Sequence, residues 1–206
     1  MLIELNNLKP AYLSDKQVSD SQIYLQESVV FEKEKRYVIE AGSGKGKSSL
    51  LNIIYGVHEK YEGALHYHGI KKDQIKKDQI SYVFQDLKLF KELTALENVL
   101  LKNNLTQHKE ITVIKELFNQ FGLSKQLNQS AATLSLGQKQ RVAIIRSLCM
   151  PYKLLLMDEP YSHLDDDNMK IIMEIIKNDA LENSASIIIA SLGNSTELDA
   201  DQILQI

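Results

Sequence analysis

One cysteine, three prolines and no long apolar run set this 206-residue sequence apart as much as anything it contains. Cys149 stands alone, so no internal disulfide can organise the fold. No Pro- or Ser-rich linker divides the chain, and any lobes must be read from the order of its motifs. No apolar stretch approaches the roughly 18 residues of a membrane-spanning helix, so direct membrane insertion is not expected. The opening residues, MLIELNNLKP, lack a charged start followed by a long apolar segment, and a cytosolic location is expected. An excess of one charge sign is missing too. The net charge is −3 with acids and bases intermixed, which implies no sequence-independent attraction to nucleic acid or anionic membrane. At 44% hydrophobic, the chain can still bury a substantial core as a single domain.

The stretch EAGSGKGKSSLL, residues 40–51, has the pattern of a phosphate-binding loop except at its first position. The pattern Gly-x-x-x-x-Gly-Lys-Ser/Thr asks for glycine where Ala41 stands, and continues through Gly42, Ser43, Gly44, Lys45, Gly46, Lys47 and Ser48. If the first position needs positive φ, alanine costs roughly 1 kcal/mol there. Such a loop must leave a buried strand and open a helix, because helix N-terminal amides and the dipole behind them hold the anion. RYVIEA predicts the strand. KSSLLNIIYG predicts the helix, with Leu50, Leu51, Ile53 and Ile54 at helical spacing and Gly56 as its stop. Lys47 is the candidate for the β and γ phosphates, with Lys45 its rival, and Ser48 is the candidate ligand for Mg²⁺.

A second half of a nucleotide site lies in KLLLMDEPYSHLDD. Leu154 to Met157 predict a strand buried on both faces, ending in Asp158 and Glu159. Strand ends are where open α/β sheets place ligands. Asp158 suits Mg²⁺ held through water, and Glu159 could orient or deprotonate an attacking water.

Just upstream, TLSLGQKQRVAIIRSL resembles the LSGGQ signature of ATP-binding cassette (ABC) proteins, and the whole chain then resembles the nucleotide-binding subunit of an ABC transporter. The other landmarks follow in order. YVFQD supplies a Q-loop Gln85, SHLD matches the D-loop with Ser162, Leu164 and Asp165, and ELNNLKPAY resembles a first strand ending in an adenine-stacking aromatic, Tyr12. Tyr24 is a second candidate for that stacking role. The resemblance implies ATP and Mg²⁺ as cofactors, with Gly42 to Ser49 and Tyr12 around the nucleotide. Glu159, Gln85 and Lys47 would be catalytic, and Ser48, Gln85 and Asp158 would hold the metal. It implies a head-to-tail homodimer in which Ser135, Gly137 and Gln138 meet ATP held by the partner, and a separate transmembrane permease that recruits the protein to the inner face of the membrane.

The same resemblance implies an α/β fold of the P-loop NTPase kind, with a RecA-like core, an antiparallel β flank and an inserted helical lobe. The core lobe is expected from residues 1–85 and 145–206, and the helical lobe from 86–144 within one domain. ITVIKELFNQFGL supports that lobe, with Ile111, Ile114, Leu117, Phe118 and Phe121 along one stripe and Gly122 as the stop. LFKELTALENVLL resembles the lipoprotein-release and macrolide-efflux branch. Three departures stand out. Ala41 and Leu136 replace glycines, and Leu192 falls where the family's switch histidine belongs, in the gap-free run SIIIASLGNSTELDADQILQI. His58, His66, His68 and His108 lie far upstream, and His163 falls in the D-loop. A leucine cannot donate to developing phosphoryl charge, and a lost donor costs roughly 10²–10³ in rate. A weakly hydrolysing regulatory module is the alternative reading. A soluble cassette protein acting in DNA repair or on ribosomes would need a long coiled-coil insertion or a second cassette. Residues 71–80, KKDQIKKDQI, read as a local duplication, His66 and His68 as exposed edge-strand residues, and Cys149 as inert core.

Overall fold

A computed structural model describes residues 2–69, 79–162, 166–193 and 199–206. In chain order the elements are β1 (Leu2–Pro10), β2 (Val29–Phe31), β3 (Arg36–Glu40), α1 (Lys47–Tyr55), β4 (Tyr61–His68), β5 (Ile80–Val83), α2 (Ala95–Thr106), α3 (Ile111–Gln120), α4 (Leu136–Leu148), β6 (Leu154–Asp158), α5 (Asp166–Glu182), β7 (Ser186–Ser191) and β8 (Gln202–Gln205). Two sheets result. One is antiparallel in the order β2-β1-β4, and the other is parallel in the order β5-β6-β7-β3-β8. This is the α/β P-loop NTPase architecture with an antiparallel flank.

The parallel sheet is buried on both faces along β3, β5, β6 and β7, as their apolar runs require, and only its edge strand β8 is largely exposed. Side chains alternate between two cores: Leu155, Met157, Ile187 and Ile189 pack with α2 to α5, while Leu154, Leu156, Ile188 and Ala190 pack with α1 and the antiparallel sheet. Strand register then decides what meets at the sheet's C-terminal edge. Val83 pairs with Met157, Asp158 with Ala190, and Glu40 with Ser191. Four chain segments distant in sequence therefore end side by side: the loop after β3, the carboxylates at the end of β6, Gln85 beyond β5, and Leu192 beyond β7.

Helix boundaries follow local chemistry. Helix α1 stops at Gly56, which takes φ 79° as the sequence pattern requires. Helix α3 buries Ile114, Leu117 and Phe118, with Phe121 buried just beyond it, and the chain turns at Gly122 with φ 64°. Ile111 departs from the expected stripe and is 44% exposed, because it opens the helix ahead of the turns that pack. His66 and His68 are exposed on the edge strand β4, and His68 Nε2 lies 2.9 Å from Glu4 Oε2. Among the described residues no helix is long and apolar enough to cross a membrane. The repeat residues 71–78, the D-loop residues His163, Leu164 and Asp165, and Asn194 lie outside the described residues.

Candidate functional site

The loop leaves β3 at Glu40 and becomes helix at Lys47. Positive φ falls at Gly44 (76°) and Gly46 (97°), whereas Ala41 does not adopt it. The expected cost of alanine at the first position therefore does not arise. Ala41 is 8% exposed, and its N–H donates to Ser191 O at 3.3 Å. Gly46 is needed for a second reason: a Cβ there would stand 2.9 Å from Tyr24 Oη and 3.0 Å from Leu13 Cδ1. Lys47 is buried, and its Nζ donates to Ala41 O at 2.7 Å and Gly42 O at 3.1 Å, lying 3.8 Å from Glu159 Oε1. Lys45 is exposed, as are Gly42, Ser43 and Gly44. Helix α1 begins without a side-chain cap, so its first amides are unclaimed by side chains and face the loop.

Opposite the loop, Asp158 is 2% exposed, and its Oδ1 has no hydrogen-bond partner. Burial pushes its carboxyl above the usual range, against the hydrogen bond from Ser48, while the neighbouring Glu159 adds to the rise and Lys47 opposes it. Glu159 holds φ 50°, a left-handed conformation rare for a non-glycine residue, and its N–H donates to Ala190 O at 2.9 Å. Backbone held in such a region by its neighbours is a mark of functional sites. Gln85 Nε2 donates to Glu159 Oε2 at 3.3 Å. Ser48, Gln85 and Asp158 line one cleft of about 650 Å³. An orphaned buried carboxylate oxygen, a serine hydroxyl and a glutamine amide form a donor set that fits a hard divalent cation such as Mg²⁺.

The two candidate stacking tyrosines have different fates. Tyr24 is fully buried and donates from its hydroxyl to Gly46 O at 2.8 Å, so it props the loop from behind and has no face free for a base. Tyr12 is 57% exposed beside the loop, with its hydroxyl 2.8 Å from Ser49 Oγ. Nothing in the sequence pattern around Tyr24 distinguishes a strut from a stacking surface.

Helix α4 starts in a capping box. Ser135 Oγ accepts from Gln138 N at 3.2 Å, and Gln138 Oε1 accepts from Ser135 N at 2.9 Å. Ser135 is exposed, Gly137 and Gln138 are half-buried, and Leu136 is 51% exposed. Leu192 follows β7 directly and is 55% exposed. Cys149 ends α4 in the core, where burial pushes its thiol up to about 12.

Comparison with known proteins agrees with this geometry. A family model described as ABC transporter matches residues 26–162. The tungstate uptake system ATP-binding protein TupC of Peptoclostridium acidaminophilum is 34% identical over 192 residues, covering 92% of this chain and 86% of the relative. The lipoprotein-releasing system ATP-binding protein LolD of Protochlamydia amoebophila is 31% identical over 189 residues, covering 84% of this chain and 78% of the relative. Among solved structures, a dimeric post-hydrolysis state of the ATP-binding cassette MJ0796 bound to ADP and Pi matches with a TM-score of 0.77 at 26% identity, covering 99% of this chain and 94% of that one.

Proposed function

The chain belongs to the ABC transporter family, and on that premise we propose that it closes head to tail with a second copy around Mg-ATP and drives a separate transmembrane permease. It is an ATP-binding and ATP-hydrolysing subunit of that family. The observation that carries the mechanism is the meeting of the loop, the carboxylate pair and Gln85 at one sheet edge. Lys47 Nζ, which donates to the loop carbonyls of Ala41 and Gly42, is the donor for the β and γ phosphates. The amides at the start of α1 and the loop residues Gly42 to Ser49 cradle the phosphate oxygens. Tyr12 offers its exposed ring to the base. Glu159 holds Oε2 3.3 Å from Gln85 Nε2 and Oε1 3.8 Å from Lys47 Nζ, where the carboxylate can orient an attacking water and accept its proton.

Ser48, Gln85 and Asp158 would hold Mg²⁺, whose charge offsets that of the transferring phosphoryl group. Their support is the unpartnered Asp158 Oδ1 and the chemistry of the donor set. The dimer rests on the dimeric MJ0796 structures and on the exposed capping turn at Ser135, which with Gly137 and Gln138 suits a phosphate held by the partner. A core lobe of residues 1–85 and 145–206 and a helical lobe of 86–144 remain our division of the chain; α4 runs unbroken across the second boundary and would couple the two. The cargo would be set by the permease, since relatives of comparable similarity are named for a tungstate uptake system and a lipoprotein-releasing system. Docking on that permease at the inner face of the membrane follows from the same reading. The weakly hydrolysing regulatory alternative loses one of its supports, because Ala41 strains nothing.

The test is Glu159→Gln, which keeps shape and metal donors but removes the base. With saturating Mg-ATP it should elute as an ATP-loaded dimer on a sizing column. A monomer with ATP shown to be bound would rule out the sandwich and any role of Ser135 across it.

A further inference from the structure

Gln85 sits inside a tight turn, closed by Leu87 N–H donating to Phe84 O at 2.9 Å. Leu87, which ends the turn, and Lys88, which follows it, hold positive φ in succession, 60° and 47°. Non-glycine residues persist in that region only where their surroundings impose it. Here the constraint comes from Arg146 near the end of α4: Nη1 donates to Lys88 O and Nη2 donates to Leu87 O, each at 2.6 Å. Arg146 is 9% exposed, and burial lowers the pKa of its guanidinium. Its partners are two backbone carbonyls, which a planar fork can reach together and a lysine ammonium cannot match. Asn98, fully buried on α2, holds the next part of the segment by accepting from Phe90 N at 2.8 Å and donating to Phe90 O at 3.0 Å.

We infer that Arg146 is a positioning residue for Gln85. It fixes the turn that aims the Gln85 amide at Glu159 and ties that turn to the helix whose other end is Ser135. The two ends of α4 then act as one lever. A shift of α4 when Ser135 engages nucleotide is passed through Arg146 to the Phe84–Leu87 turn, and so to the hydrolytic carboxylate. This inference rests on the role proposed above for Gln85 in hydrolysis.

The experiment compares parent, Arg146→Lys, Gln85→Ala and the double variant as purified proteins, reading melting temperature, equilibrium ATP affinity and kcat. Displacing a catalytic group by about 1 Å costs as much as a hundredfold. Arg146→Lys should therefore lower kcat by roughly ten- to a hundredfold while ATP affinity stays within about threefold. On the Gln85→Ala background the same substitution should cost nothing further, because groups acting through one contact are not additive. An equal loss in both backgrounds would overturn the inference and leave the role of Gln85 standing. Full activity in Gln85→Ala would remove that role and the inference with it. Affinity falling in step with kcat would assign Arg146 to the nucleotide site's fold instead, against the inference. Should Arg146→Lys fail to fold, Arg146→Gln keeps one donor without a buried charge and gives the same comparison.

Discussion

Restoring the family's glycine at position 41 should make this protein worse. Ala41 is 8% exposed, does not have positive φ, and has both backbone groups engaged: N–H with Ser191 O at 3.3 Å and C=O with Lys47 Nζ at 2.7 Å. Glycine there would gain nothing in the folded state. It would widen the unfolded ensemble, at a cost of about 0.4–1 kcal/mol, and remove a buried methyl worth about 0.8 kcal/mol. The expected loss is about 1–2 kcal/mol, which for a chain of this size lowers the melting temperature by about 2–8 °C. ATP affinity should not improve, because the alanine stores no strain for the exchange to release. Thermal unfolding by circular dichroism, with and without saturating nucleotide, measures the first quantity, and equilibrium ATP binding measures the second. A more stable Ala41→Gly protein, or one that binds ATP tenfold more tightly, would show that the alanine strains the loop and that the backbone argument is wrong.

Three further outcomes follow from the same site. Tyr12→Ala should weaken ATP binding by about 1–3 kcal/mol without altering the affinity for inorganic triphosphate, whereas Tyr24→Phe, which leaves Gly46 O only the helical N–H of Leu50 as donor and frees the loop from its strut, should weaken both ligands by about 0.5–1.5 kcal/mol; the reverse pattern would exchange the roles of the two tyrosines. Burial raises the Asp158 pKa above its unfolded value, so the folded chain binds more protons between the two values, and stability without Mg²⁺ should rise as pH falls through the raised pKa. Asp158→Asn should lose that dependence and melt higher than the parent at neutral pH in chelator while losing its response to Mg²⁺; a lower melting point would show that the carboxylate is stabilising there. Leu192→His should raise kcat about tenfold or more, equivalent to at least ~1.4 kcal/mol at the transition state, with little change in ATP affinity, and equal single-turnover rates for Leu192, His and Ala would make 192 a packing position only.

What the sequence determined by itself was everything that depends on local pattern. Apolar runs bounded by polar turns define the strands Arg36–Glu40 and Leu154–Asp158, and helical spacing with a glycine stop defines Lys47–Tyr55. The order of loop, signature and carboxylates identified the family, because each motif combines a chain direction with a chemistry that short segments express unaided. Register was decided only by the folded sheet: the pairing of Val83 with Met157, Asp158 with Ala190 and Glu40 with Ser191 brings the four segments to one edge. Tertiary structure also decided the conformational questions. Whether Ala41 is strained depends on its φ, and whether Tyr24 meets a base or a carbonyl depends on what covers its ring. The left-handed Glu159 and the paired left-handed Leu87 and Lys88 have no signature, since any residue can be forced there by its surroundings at a cost of about 1–2 kcal/mol. Arg146 reads in the chain as one more cation on a helix. Its meaning lies in two carbonyl oxygens nearly sixty residues away, 58 and 59 positions upstream, which only long-range packing brings within 2.6 Å.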